Sequence, residues 1–287
     1  MARPALQARL RALGLGLALG LGLALAGGAS LARGTQAQGP AQALYEQGLR
    51  HHSGQGAPLD RARALQLFGA AAAQGHAAAS HALSRHHRGL DGGAVDVQQA
   101  WAHAERAARL GHVPAQLELG FARFNGSDGL AKDLALAHRW FSAAAAQGSV
   151  AAQCMLGDFH KGGLGGVRQD AAQALHWYRR TAVAEHPCAL KSQFELYQAY
   201  ATGQGVRRDL RQAMDWLQKS AEGGNPRAQQ ALSRAYRDGQ GVERDAAMEK
   251  RWWRLSREGV APHDDHEHEL PSFAGPLLSQ KLAPLQR

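Results

Sequence analysis

Cysteine and aromatic residues are scarce in this chain: it holds two Cys among 287 residues and is 6% aromatic. So few cysteines exclude a disulfide-dense scaffold. β-Branched runs are few and no stretch alternates apolar with polar residues, which excludes a sheet-built domain. The longest apolar run, Ala12 to Ala26, spans 15 residues, short of the roughly 20 needed to cross a bilayer as a helix. Catalytic signatures are missing too. There is no Gly-x-Ser-x-Gly elbow, no Ser-x-x-Lys, no His-Glu-x-x-His and no phosphate loop.

What the chain does have is a period. Asp60, Asp96, Asp133, Asp170, Asp209 and Asp245 follow one another at steps of 36, 37, 37, 39 and 36 residues. Gly56, Gly92, Gly129, Gly166, Gly205 and Gly241 stand four residues before them. Spacing of this size predicts an all-α solenoid of two-helix units, in which each unit buries its apolar face only against its neighbours. Each unit reads as a first helix, a glycine turn, and a second helix opened by the aspartate. Its carboxylate can accept hydrogen bonds from free N–H groups at the helix start. The identical register of the six argues for helix caps and against a catalytic cluster.

Further positions repeat. Seven residues after each aspartate come Leu67, His103, Trp140, Trp177, Trp216 and Trp252, expected to fill space between units. Leu83, Leu119, Leu156, Leu196 and Leu232 mark the core of the first helices, followed by a small residue in four cases (Ser84, Gly120, Gly157, Ser233). Gln116, Gln153, Gln193 and Gln229 stand three residues before their leucines. Taken together, Ala-Gln-x-x-Leu, Gly-Gln-Gly-Val-x-x-Asp-x-x-x-Ala-x-x-Trp and Ala-x-x-Gly resemble the Sel1-like repeat, a branch of the tetratricopeptide-type solenoids. The resemblance covers residues 41–260 and is weakest in the first unit. It implies a scaffold that binds a partner. Some members are credited with hydrolysis of cell-wall material or β-lactams, so a hydrolase is the second alternative.

Three segments follow: a signal peptide and leader (1–37), the repeats (38–260), and a Pro/His/acid-rich tail (261–287). Arg3, Arg9 and Arg11 before a short apolar run, with small residues after it, predict export to a periplasm or the exterior. Stable membrane insertion is not expected once the signal is cleaved. Residues 1–37 carry four arginines and no acid, so the net charge of +9 falls to +5 without them. This mild basic excess suits acidic polymers or headgroups, and export makes nucleic acid a poor partner. In an oxidising compartment Cys154 and Cys188 can pair. Sequence separation does not give distance, so paired and separate thiols both stand.

The expected working surface is the first-helix face, which should line the inside of the superhelix. Candidate contacts there are Arg85, Gln116, Arg123, Gln153, Asp158, Gln193, Gln229 and Arg234. The glutamines equally suit cross-bracing between repeats. The pairs His51-His52 and His86-His87 suit helix C-termini. The tail's His263, His266 and His268 lie among four carboxylates, a weak metal candidate, and no cofactor is expected. The reading is an exported, non-enzymatic scaffold that captures a protein partner. The rival is a binder of envelope polysaccharide or peptidoglycan.

Overall fold

The computed structural model describes residues 39–90, 94–127 and 129–258. The leader and the tail lie outside the described residues, as does Gly92. Among the described residues there is no strand. Twelve α-helices form six consecutive hairpins: α1 (Pro40–Ser53) with α2 (Arg61–Ala73), α3 (Ala77–His87) with α4 (Val97–Arg109), α5 (Val113–Asn125) with α6 (Leu134–Ala146), α7 (Val150–Gly162) with α8 (Ala171–Thr181), α9 (Cys188–Thr202) with α10 (Leu210–Glu222), and α11 (Pro226–Asp238) with α12 (Ala246–Glu258). A short 3-10 turn, Leu164–Gly166, precedes α8.

Each periodic aspartate ties both helices of its hairpin. The side chains of Asp60, Asp96, Asp133, Asp170 and Asp209 accept the N–H three residues on, at 2.8–3.0 Å. Asp245 accepts from Ala247 at 2.8 Å and Met248 at 3.0 Å. The aspartate's own N–H donates back to the end of the first helix, to the carbonyls of His51, His87, Arg123, His160, Tyr200 and Tyr236 in turn, at 2.7–3.1 Å. One residue thus caps the second helix and closes the turn. The turn glycine is needed for two reasons. Gly205 has φ +70°, and a Cβ on it would sit 2.7 Å from the backbone of Ala171 in the preceding unit.

The apolar cores lie between units. Trp101, Ala104, Ala107 and Ala108 of α4 pack on Ala115, Leu119 and Ala122 of α5. Phe141, Ala144 and Ala145 of α6 pack on Ala152, Leu156 and Phe159 of α7. Clusters of the same kind join α2 to α3, α8 to α9 and α10 to α11. The second helices contribute the residues five, eight and twelve positions after the aspartate.

The large positions of the second helix divide in two. The large residues at the seventh position border the cores between units from the side of their own hairpin. Trp140, Trp177, Trp216 and Trp252 pack with the cores that their own first helix forms with the second helix of the preceding unit, and His103 stacks on His87 with ring centroids 5.5 Å apart. The more deeply buried position is the next one: Phe68, Ala104, Phe141, Tyr178 and Leu217 are all buried. The small residue after the ladder leucine makes room for it. A Cβ on Gly120 would lie 2.6 Å from the ring of Phe141, and one on Gly157 2.5 Å from that of Tyr178.

Both ends of the stack depart from the pattern. Where inner first helices present Ala79 and Leu83 or Ala115 and Leu119, α1 presents Ala43, Gln47 and Arg50, all exposed. Where inner second helices present residues such as Leu175, Tyr178 and Ala182, α12 presents Lys250, Trp253 and Arg257, also exposed. Polar outer faces are what terminal repeats need for solubility.

Candidate functional site

Consecutive first helices are joined side chain to side chain. Arg88, just past the end of α3, pairs with Glu118 of α5. Lys161 of α7 pairs with Glu195 of α9 at the equivalent positions two units on. Between these two steps the same positions hold Phe124 and Met155, which join the apolar core instead. Lys191 of α9 reaches back to Asp158, which also accepts from Tyr178 Oη at 2.8 Å. Burial, with the half-buried Asp158 carboxylate alongside, pushes the Tyr178 phenol well above its usual range.

Four of the expected contact residues are internal braces. Gln116, Gln153 and Gln229 are buried, and each donates to a carbonyl eight residues earlier, at Ala108, Ala145 and Ala221, over 3.0–3.3 Å. Half-buried Gln193 donates to Ala182 at 2.8 Å. These carbonyls lie at the end of the preceding second helix, and those of Ala108, Ala145 and Ala221 also accept the N–H of the glycine that follows it. Buried amides committed in this way cannot reach a ligand. Asp158 is likewise held by its two partners. Arg123 donates to Ala131 O at 3.3 Å, across its own glycine turn. The Nε atoms of Arg85 and Arg123 are buried without a hydrogen bond, and Arg234 is exposed.

The row two residues past the ladder leucines is Arg85, Phe121, Asp158, Gln198 and Arg234, of which Arg234 is exposed and the other four are half-buried. Near its middle is an apolar dent of about 30 Å³, lined by Phe121, Ala151, Met155, His186 and Lys191 and by the disulfide Cys154–Cys188. The disulfide joins α7 to the start of α9, with Cα atoms 6.5 Å apart. It sits at the one unit boundary where no glycine ends the second helix and the loop is longest. Nothing in the spacing of the two cysteines gives that contact.

At the other end of the face the histidines are structural. His76 Nδ1 caps α3 by accepting from Ala79 at 3.1 Å, and its Nε2 meets Gln42 at 2.7 Å. His81 lies 3.2 Å from Glu118 and its ring centroid is 4.7 Å from that of His112. Burial, with Arg85 and Arg88 alongside His81 and with His81 and His76 alongside His112, holds both imidazoles down to about 4. They are neutral near pH 7. His51 Nδ1 sits 3.1 Å from the Pro58 carbonyl. Among the described residues no three His, Cys, Asp or Glu side chains converge on a metal position. His263, His266 and His268 lie outside them.

Six successive segments, residues 41–76, 77–112, 113–149, 150–182, 191–225 and 226–256, match the Sel1 repeat. The chain belongs to the Sel1 repeat family, whose repeats generally mediate protein–protein interaction. Its fold resembles that of a protective antigen of uropathogenic Escherichia coli with an SLR fold, at 32% identity and TM-score 0.64 over 77% of this chain and 46% of the antigen. It also resembles a Sel1 repeat protein from Oxalobacter formigenes, at 26% identity and TM-score 0.65 over 77% of this chain and 88% of that one. The chain thus spans about half the length of the E. coli antigen. No curated protein matches it.

Proposed function

We propose that this protein is an exported, non-enzymatic scaffold that holds a protein partner along its first-helix face. One observation carries the reading. Packing positions repeat from unit to unit, whereas the row Arg85, Phe121, Asp158, Gln198 and Arg234, half-buried but for the exposed Arg234, changes character at every step, and its Phe121 borders an apolar dent. A rigid surface with a different chemical group every unit suits an extended segment of another protein, read one side chain per repeat. Export is supported by the apolar run behind Arg3, Arg9 and Arg11 and by the disulfide, which persists in oxidising compartments. The E. coli relative, a protective antigen, is compatible with such a location.

A photoreactive side chain at position 121, in the native cell, tests the reading, with position 139 on an exposed second-helix surface as the control. Protein adducts should form at 121 and be lost in Arg85→Glu/Arg123→Glu. Equal yields at both positions would sink it. Adducts that resist protease and yield to glycan-degrading enzymes would favour the polysaccharide reading instead.

A further inference from the structure

Lys250, Trp253, Arg254 and Arg257 stand at i, i+3, i+4 and i+7 along α12, so they share one helical face over two turns, and all four are exposed. Trp253 occupies the register of Phe68, Phe141, Tyr178 and Leu217, none more than 2% exposed, yet it is 56% exposed. The guanidinium of Arg257 sits over its ring at 5.2 Å. Arg254 also meets Glu258 at 3.4 Å, a pair open to solvent on both sides. Basic charge concentrates in this hairpin. Residues 226–258 hold eight Lys or Arg against five Asp or Glu, a net +3, and none of the five preceding hairpins, counted with its loops, exceeds +1. The opposite end of the stack, Ala43, Gln47 and Arg50, has one cation and no aromatic.

From this geometry we propose that the α12 stripe rests on an anionic phospholipid surface. Three cations beside one tryptophan on a straight helical face suit a plane of phosphates with an apolar layer beneath it. The ammonium and guanidinium groups meet the headgroups, and the indole, apolar but for one N–H, sits at their depth. A soluble polyanion would answer to the cations and leave the indole unused. A protein partner is disfavoured, because one exposed aromatic is too little for the apolar centre that such an interface buries. A second copy docked through the same stripe would set Lys250, Arg254 and Arg257 against their equivalents. The contact is peripheral: among the described residues no helix is long and apolar enough to cross a membrane. With the other end of the stack so different, the molecule meets the surface by one end. The proposal is independent of what binds the first-helix face.

Quenching by brominated phosphatidylcholine reads the contact in the full-length chain, as the ratio of emission on brominated and on plain vesicles. Trp101 is the first tryptophan, so the N-terminal apolar run gives no signal, and subtraction of Trp253→Phe isolates the stripe. On equimolar phosphatidylglycerol and brominated lipid, a ring at headgroup depth should lose roughly half of its emission. Phosphatidylcholine alone should leave it unquenched. Each basic residue at an anionic surface is worth about five-fold in affinity, so Lys250→Gln/Arg254→Gln/Arg257→Gln should need roughly a hundred-fold more lipid for the same loss. Arg139→Gln/Arg180→Gln/Arg211→Gln removes equal charge from exposed sites on other second helices. Screening beyond about 10 Å should hold its shift to about three-fold or less. Equal shifts in the two variants overturn the proposal in favour of net charge alone. Absence of quenching on the anionic vesicles, or equal quenching on phosphatidylcholine alone, also overturns it. So does polyphosphate that binds the stripe more tightly than the vesicles do, which would make the ligand a soluble polyanion. Trp253 protection that grows with protein concentration without lipid would replace the membrane with a second copy.

Discussion

At the residue scale this structure turns on pairs of unequal size. Gly120 and Gly157 exist because Phe141 and Tyr178 press against them, and both rings are too well buried to move aside. Gly157→Ala should cost roughly 1–3 kcal/mol by overpacking, read as a lower urea midpoint, and Tyr178→Leu in the same chain should recover part of the loss. His81 and His112 set a pH response. Each is held to about 4 in the fold against 6.5 in the unfolded chain. As pH falls from 6.5 toward 4 the unfolded state takes up protons that the native state refuses, so stability is complete above 6.5 and declines across that window. Thermal melts between pH 7 and pH 4 should show the midpoint falling, and His81→Gln should flatten the curve. An unchanged slope in that variant would place the response elsewhere than on His81.

At the element scale the hairpin is fastened by one aspartate acting through side chain and backbone together. Asp133→Ala should cost about 1 kcal/mol and Asp133→Asn far less, since asparagine still accepts the Leu136 N–H. Equilibrium denaturation of the two variants checks the order. This much was legible in the sequence because capping is local: the same backbone event recurs every 36–39 residues and leaves the same residue behind. The tryptophans border the inter-unit cores as their size suggests, but the deeper position is the one after them, which size alone does not mark. The glutamine braces left a signal that could have been read, since Gln116, Gln153 and Gln229 all reach back eight residues across a glycine turn. Their competing role as ligand contacts was settled by burial, which no spacing reports. The ion pairs between first helices needed the stacking geometry itself.

At the scale of the whole molecule, no hairpin owns a complete core, because each cluster takes one side from each of two neighbours. Cooperativity therefore runs along the stack, and one joint in it is covalent, where the disulfide closes a loop of 34 residues. Loop-closure entropy for that length corresponds to roughly 3–4 kcal/mol. Reductant should lower the denaturation midpoint of the native chain and leave Cys154→Ser/Cys188→Ser unmoved. A native chain indifferent to reductant would mean the bridge carries no load in folding.

That covalent joint also gives the protein a mechanical asymmetry. Drawn out from its two termini, the array should lengthen in jumps, each releasing about one hairpin, or on the order of 130 Å of contour for its ~37 residues. Residues 154–188 are withheld from that slack for as long as the bond between them is intact. A force trace would then show a shortened central jump that regains its full span under reductant, marking where along the chain tension is first refused.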